Sequence, residues 1–352
     1  MAKIRIGSVG LGGVSSGVHI PGIRASADLA LTALCDIDAE RLREKAAAYG
    51  VDEAHCFTDY RDLAACPDVD AVDISAPNDV HLAAALAAVA AGKPYNLEKP
   101  ITLDAAEGKH LLEATRAAGV KSMIDFSYRY KASARFLREI LLSGRLGKIY
   151  HVNMQYYQAW GREGADCPLV WRFVRENAGS GALGDLGCHA LDLVEFVTGE
   201  RYRRVCAHNG TFVEKRRLLS GEGSGAVDVD DYSNIFAEME SGAAFSFQIS
   251  RFCYGRGNYQ RMEVYGEDGA LVYHLDRVPG RDELEIASAE TGGKFESCEI
   301  PEHCRADQMQ AFADLVLGRG DGLSATIEDG YRNQCLLDAI LRSAETGTWA
   351  AL

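Results

Sequence analysis

Long apolar runs are missing from this 352-residue chain, and none approaches the length that spans a bilayer. Paired cysteines are missing too. The ten cysteines (Cys35, Cys56, Cys66, Cys167, Cys188, Cys206, Cys253, Cys298, Cys304 and Cys335) are scattered, and no two are spaced CxxC. That excludes a zinc ribbon or a redox dithiol, and no metal site is expected. Repeats and low-complexity segments are absent. Positive charge is short: 37 Lys and Arg stand against 51 Asp and Glu, giving a net charge of -14 and a pI near 5.1. An acidic surface repels phosphate backbones and anionic bilayers, so neither nucleic acid nor a membrane is expected as partner. A small neutral substrate remains compatible. The first residues show no series of charged segment, apolar core and cleavage site. The cysteines are therefore expected as reduced thiols, and the protein in the cytoplasm.

What is present fits a soluble globular protein, with 47% hydrophobic and 25% charged residues. The length predicts two domains. Residues 4–9 read as a short strand, followed at once by Gly10-Leu11-Gly12-Gly13-Val14-Ser15 and a helical segment. Strand, glycine turn and helix together give such a motif its meaning. Gly10 permits a tight turn, Gly12 lets a diphosphate approach the backbone, and Gly13 and Val14 lead into the helix N-terminus, which attracts anions. Ser15 takes the third glycine's place, either loosening helix–strand packing or adding a hydroxyl donor. The next strand, residues 29–35, ends at Asp36-Ile37, about twenty residues beyond the turn, where dinucleotide folds place a ribose-binding acid. Such an acid repels a 2′-phosphate, so NAD is expected over NADP. The alternative is that Asp36 caps the following helix, as Asp38 also could.

A third strand at residues 69–75 ends in Ala76-Pro77-Asn78-Asp79-Val80-His81, and a fourth at residues 92–97 is closed by Glu98-Lys99-Pro100. Ligands gather at strand carboxyl ends in open parallel sheets, so Pro77 and Asn78 are expected to line the cofactor groove, with His81, Glu98 and Lys99 near it; read in isolation, Lys99 is only a solvated lysine with Glu98 as a nearby counter-charge. Asn78 is compatible with a helix cap as well. Proline fixes the turn at Pro100 and pushes Lys99 toward an extended backbone. A helix at residues 103–118 and a strand at 122–126 complete an alternating β/α series. A boundary falls here: residues 1–126 are expected as a Rossmann dinucleotide-binding domain and residues 127–352 as a second α/β domain. Strand-like runs near residues 149–158, 205–213, 232–239, 243–252, 260–265, 270–273, 283–287 and 295–300, joined by short turns, predict an open, mainly antiparallel sheet.

Residues 179–192 stand out. Gly179, Gly181, Gly184 and Gly187 run into an apolar helical pattern that carries Asp185 and His189 four residues apart, on one helix face. A carboxylate beside an imidazole suits a general base, and the glycines leave room for something to come close. The plainer alternative is a buried helix with one satisfied polar pair. Tyr156, Tyr157, Trp160 and Trp171 suit stacking on a ring and equally suit sheet core; adjacent strand residues face opposite ways, so one of the two tyrosines belongs to the core.

The glycine turn with Asp36, then Glu98-Lys99-Pro100, then Asp185-x-x-x-His189-x-x-Asp192 together resemble the Gfo/Idh/MocA family (glucose–fructose oxidoreductase, inositol dehydrogenase, rhizopine catabolism), over essentially the whole chain. Pro77-Asn78-x-x-His81, residues 211–216, Val229-Asp230-Asp231 and Glu328-Asp329-Gly330 add weaker likeness to its sugar and polyol dehydrogenases. The resemblance implies an NAD-dependent oxidoreductase. Lys99 would contact the reacting hydroxyl and the nicotinamide ribose, His189 would be the catalytic base, and Asp185 its partner. It also implies that Arg129 meets substrate or cofactor. The substrate-binding set expected is then Lys99, Arg129, Tyr157, Trp160, Trp171, Asp185 and His189, with Asp192 offered to a substrate hydroxyl. A homo-oligomer, dimer or tetramer, is expected through the second sheet. The expected substrate is a cyclic polyol or pyranose sugar: an inositol, a glucoside or an anhydro-sugar. Two alternatives stand beside this. One is an NAD-recycling enzyme that oxidises a ring carbon and cleaves by elimination. The other is a non-catalytic sugar sensor, which would be expected to lack Lys99, Asp185 or His189.

Overall fold

The computed structural model describes residues 2–278 and 281–352; Met1 lies outside them. The chain divides into two units, Met1–Phe126 with Ala306–Gln334, and Ser127–Arg305 with Cys335–Leu352. Expecting 127–352 as one piece therefore needs correction: a segment that follows the second sheet in sequence belongs to the first unit. Its helix Gln308–Leu317 seats Met309 where a side chain on Gly22 would otherwise stand.

The first unit is a parallel sheet of order β3-β2-β1-β4-β5-β6. Its strands are β1 (Ile4–Val9), β2 (Leu29–Cys35), β3 (Cys56–Phe57), β4 (Ala71–Ile74), β5 (Tyr95–Leu97) and β6 (Ser122–Ile124). The connecting helices are α1 (Ile20–Ala25), α2 (Ala39–Tyr49), α3 (Tyr60–Ala65), α4 (Asn78–Ala90) and α5 (Ala105–Ala118). The order reverses at β1, the switch point beside which such folds hold ligands. Central strands covered on both faces must be apolar throughout, and Ala71–Ile74 and Tyr95–Leu97 are buried at every position. Asp73 and Asn96 are polar exceptions, and they are register partners. Asp38 caps α2 by accepting from the Glu40 and Arg41 amides, which leaves Asp36 out of that role.

The second unit begins with α6 (Ala132–Leu142) and β7 (Ile149–Tyr157), and then a short helix α7 (Arg175–Ala178). The glycine-rich stretch forms a π-helical turn, Leu183–Gly187, running into α8 (Cys188–Thr198). Strands β8 (Tyr202–Gly210), β11 (Tyr232–Met239), β12 (Ala244–Ser250), β13 (Tyr259–Gly266), β14 (Gly269–Val278), β15 (Arg281–Ser288), β16 (Glu296–Ser297) and β17 (Ala350–Ala351) join β7 in a nine-stranded sheet, order β16-β15-β14-β13-β7-β12-β11-β8-β17. A small hairpin, β9 (Lys215–Arg217) and β10 (Ser224–Ala226), stands apart. All neighbours are antiparallel except β7 and β12. One face is apolar and buried, including Val152, Met154, Ile235, Phe245, Phe247, Ile249, Met262 and Val264, and α8 with its π-turn lies against it. The opposite face carries polar pairs such as Ser246 with Asn153 and Gln155 with Gln248. This alternation orients every side chain of β7.

Candidate active site

Gly10 has φ +83, and a side chain on it would meet Ala76 Cα at 2.6 Å, so only glycine fits. Gly12 and Gly13 differ: a side chain there would meet nothing within 4 Å. No protein neighbour demands glycine at either position, and the open space lies where a diphosphate would need to reach the backbone. Val14 borders it, partly exposed. Ser15 is fully buried and turns its hydroxyl inward to Ser8 Oγ at 3.4 Å, so it offers no donor outward.

The buried Asp36 carboxylate accepts from the amides of Leu11 (2.9 Å) and Asp38 (2.9 Å) and pairs with Arg41 at 3.1 Å. It thus ties the glycine turn to the end of β2. Ile37 beside it is 91% exposed. Pro77 precedes the first turn of α4, and Asn78 is buried as its first residue. His81 is wholly buried, with Nδ1 2.8 Å from the Pro100 carbonyl and Nε2 2.9 Å from the Ala76 carbonyl. That makes it a brace between the ends of β4 and β5, with no face open to a cofactor, and the expected contact is corrected accordingly.

Glu98 and Lys99 stand over a cluster that sequence reasoning missed. His19, buried at the end of the helical turn Ser15–His19, places Nδ1 2.8 Å from Asp73 Oδ1 and Nε2 3.2 Å from Glu98 Oε1. Asp125 Oδ2 lies 3.4 Å from the same Nε2. Asn96 donates to both Asp73 Oδ1 (2.8 Å) and Asp125 Oδ2 (2.7 Å), and Gln308 donates to Asp125 Oδ1 (2.6 Å). Burial disfavours a charged His19 ring, but Asp73 and Asp125 outweigh it and hold the imidazole pKa well above its usual value. Burial also opposes charge on Asp73 and Glu98; the charged ring overcomes it for Asp73, and the ring together with Lys99 for Glu98, so both pKa values fall below the carboxylate norm. Asp125 goes the other way: burial, with Glu98 and Asp73 nearby, pushes it well up. A legible signal existed in the polar residues Asp73 and Asn96 at the centres of two adjacent buried strands.

In the second unit the space beside Gly181, Gly184 and Gly187 is filled by protein. A side chain on Gly181 would lie 1.8 Å from the Asp230 carbonyl oxygen, and one on Gly184 2.5 Å from Ser180 Oγ. The Asp230 carboxylate accepts from the Gly181 and Leu183 amides, each at 2.7 Å, and its carbonyl accepts from Ala182. Asp230 therefore satisfies free N–H groups at the start of the π-turn. Burial pushes its carboxyl pKa up. Fully buried Arg251 bonds the Asp230 carbonyl (2.8 Å) and the Arg172 carbonyl (3.3 Å). The room left by these glycines is thus taken by the chain itself.

Asp185 leaves the π-turn partly exposed, with Arg172 Nε 3.8 Å from its carboxylate. His189 is mostly buried and meets Tyr128 edge to face, ring centroids 5.0 Å apart. The Tyr128 hydroxyl bonds Tyr156 (2.6 Å) and Asn258 (2.9 Å), and Asn258 accepts from Gln158 (2.8 Å). Gln158 in turn accepts from the Trp160 indole (2.6 Å). A cavity of about 400 Å³ lies here, lined by Gln158, Trp160, Cys167, Val170, Arg172 and Asp185. Trp171 carries the Arg172 guanidinium on its ring at 4.3 Å. Tyr157 is a correction. Strand alternation puts Tyr156 on the buried face toward α8, whereas Tyr157 bonds Gln248 and stacks on Tyr259 on the other face. Arg129 and Asp192 are corrected as well. They form a buried bidentate pair, Nε to Oδ2 at 2.8 Å and the second nitrogen to Oδ1 at 2.5 Å, with the guanidinium over Phe196. Both carboxylate oxygens of Asp192 are thereby engaged by Arg129.

Fold and site together define a class: an oxidoreductase with a dinucleotide-binding sheet and a second, antiparallel unit bearing a His/Asp helix. Residues 4–126 match the Gfo/Idh/MocA "oxidoreductase family, NAD-binding Rossmann fold", and residues 134–272 match that family's C-terminal domain. A levoglucosan dehydrogenase of Pseudarthrobacter phenanthrenivorans is 30% identical over 90% of this chain and 88% of its own. A myo-inositol 2-dehydrogenase of Thermotoga maritima is 28% identical over 76% of this chain and 74% of its own. A D-glucoside 3-dehydrogenase of Escherichia coli is 26% identical over 99% and 97%. A levoglucosan dehydrogenase crystallised with NADH and L-sorbose superposes with a TM-score of 0.91 at 27% identity, covering 100% of this chain and 99% of that one. The chain belongs to the Gfo/Idh/MocA family of NAD-binding oxidoreductases. No helix among the described residues is long and apolar enough to cross a membrane.

Proposed function

We propose that this protein oxidises a secondary alcohol of a pyranose sugar, anhydro-sugar or cyclic polyol with NAD as hydride acceptor. The observation that carries the reading is the cavity of about 400 Å³ whose lining combines an aromatic residue (Trp160), an acid (Asp185), a base (Arg172) and an amide (Gln158). Indole faces suit the C–H faces of sugar rings, and the three polar groups suit hydroxyls. Relatives named for levoglucosan, inositol and glucoside oxidation support the substrate class.

The open backbone at Gly12 and Gly13 fits a diphosphate, and Asp36 fits the adenosine ribose hydroxyls. The nicotinamide, when bound, supplies the acceptor for the substrate's hydride. Oxidation also releases a proton from the hydroxyl. His189 takes it as general base, and Asp185 holds and orients its imidazole. Lys99 stabilises the oxygen as it gains negative charge. Self-association through the polar sheet face and a cytoplasmic location belong to the same proposal.

The test is a panel of inositols, glucosides, aldoses and anhydro-sugars assayed for net NADH. Accumulation with one ring class identifies the dehydrogenase and its substrate. Cleavage of a glucoside without net NADH would favour oxidation and elimination instead.

A further inference from the structure

The charged cluster beneath Glu98-Lys99 has no part in the chemistry described so far. Its members come from every element packed there. His19 is on the helical turn after the glycines, Ser8 on β1, Asp73 on β4, Asn96 and Glu98 on and after β5, Asp125 after β6, and Gln308 on the returning helix. His81, wholly buried, and Lys99 are the other titratable groups acting on Glu98. The side-chain atoms of His19, Asp73 and Asp125 lie within 4.8 Å of one another. The carboxylate oxygens there already accept N–H donors from Asn96 and Gln308. Such a cluster is satisfied by protons rather than by a metal ion, because amide N–H groups repel cations.

Glu98 uses its two oxygens differently. Oε1 meets His19 Nε2 at 3.2 Å, and Oε2 accepts the backbone N–H of Lys99 at 3.1 Å. One carboxylate thus bridges a buried imidazole to the backbone of the lysine. We propose that His19 is a positioning residue for the reaction: its buried, doubly hydrogen-bonded ring locks Glu98 as a carboxylate, and Glu98 fixes the backbone and the counter-charge of Lys99. This rests on the reading of Lys99 as the cation at the reacting oxygen.

The directions agree: the His19 ring is held toward its charged form and Asp73 and Glu98 toward theirs, whereas Asp125 is pushed toward its protonated form. Without the ring's positive charge, Glu98 sits mostly buried beside other acids and binds a proton more readily. A neutral Glu98 no longer supplies the counter-charge of Lys99. The ionised form then returns only as pH rises, so the acid side of the activity profile moves to higher pH.

His19→Gln keeps a donor toward Glu98 and removes the charge. The expected result is a fall in kcat of about 10- to 100-fold near neutral pH, the size of effect a misplaced catalytic group produces. The acid limb of the kcat profile moves upward by about one pH unit or more, and NAD affinity stays within about threefold. A profile that superimposes on the wild type, or a loss equal at every pH, overturns the proposal. If His19→Gln does not fold, Glu98→Gln serves: a comparable kcat loss with NAD affinity kept supports the proposal, and near-normal kcat overturns it. In the unaltered protein, nitrogen NMR of His19 should find both ring nitrogens protonated through neutral pH, and a neutral ring also overturns it. Lys99→Ala run in parallel separates the two readings. If Lys99→Ala stays active, the Lys99 role fails and takes this inference with it. If it is inactive while His19→Gln behaves as wild type, the inference alone fails.

Discussion

Two glycine-rich stretches serve opposite ends in this molecule. At Gly12 and Gly13 the missing side chains leave open space. At Gly181, Gly184 and Gly187 the missing side chains are replaced by Asp230, Ser180 and Leu183. Composition is alike in the two places, yet the first is left open and the second is filled by the protein's own atoms. A glycine run therefore marks close approach, and only its surroundings say what approaches. The second stretch holds other residues in place. Asp230 bonds the start of the π-turn, and the turn delivers Asp185 and His189.

The largest effects are expected at the proposed catalytic groups. Lys99→Ala should lower kcat by about a thousandfold, the scale of losing a donor to a developing oxyanion. His189→Ala should lower it by about 10²- to 10⁴-fold, the scale of losing a general base. In both, the circular dichroism and melting temperature should be retained; near-normal turnover in either removes that residue's role. Next comes the fold itself. Gly181→Ala drives a methyl group into the Asp230 backbone and should cost at least about 4 kcal/mol of stability, in the exceptional class of point changes. Chemical denaturation measures it, and a loss under 1 kcal/mol would mean that this stretch, like the first, has room.

The counterpart is milder. Gly12→Ala should leave the denaturation curve of the free protein unchanged and weaken NAD on the order of tenfold, about 1.4 kcal/mol. Titration calorimetry checks it, and full NAD affinity would mean that the open space is not the diphosphate site. Smallest is Asp36→Ala, which should weaken NAD several-fold more than NADP, because the carboxylate favours ribose hydroxyls and repels a 2′-phosphate. Equal weakening of both would reduce Asp36 to its observed contacts with Leu11 and Arg41.

Much of the first unit was legible because its signals are local. Strand, glycine turn and helix follow one another, and the acid after β2 falls at a fixed distance from them. The second sheet was legible as antiparallel from its short turns, although β7 and β12 pair in parallel, which no local pattern announces. The alternation of β7 showed that Tyr156 and Tyr157 face opposite ways without showing which faces α8; that depends on the sheet's packing. Arg129 and Asp192 lie far apart in sequence, so their pairing was invisible and each was read as reaching for substrate. The return of residues 306–334 to the first unit has no mark in composition. The His19 cluster had a signal in Asp73 and Asn96, polar residues on buried strands, but their partners were hidden, since the members come from separate strands and helices and meet only when the sheet forms.

The central claim is net oxidation of a ring alcohol by NAD, and its most direct measurement is stoichiometry. With excess NAD and an accepted inositol or pyranose, NADH and ring ketone should appear in equal amounts. Consumption of the sugar with no net NADH, or NADH formed without a ketone, would contradict the account.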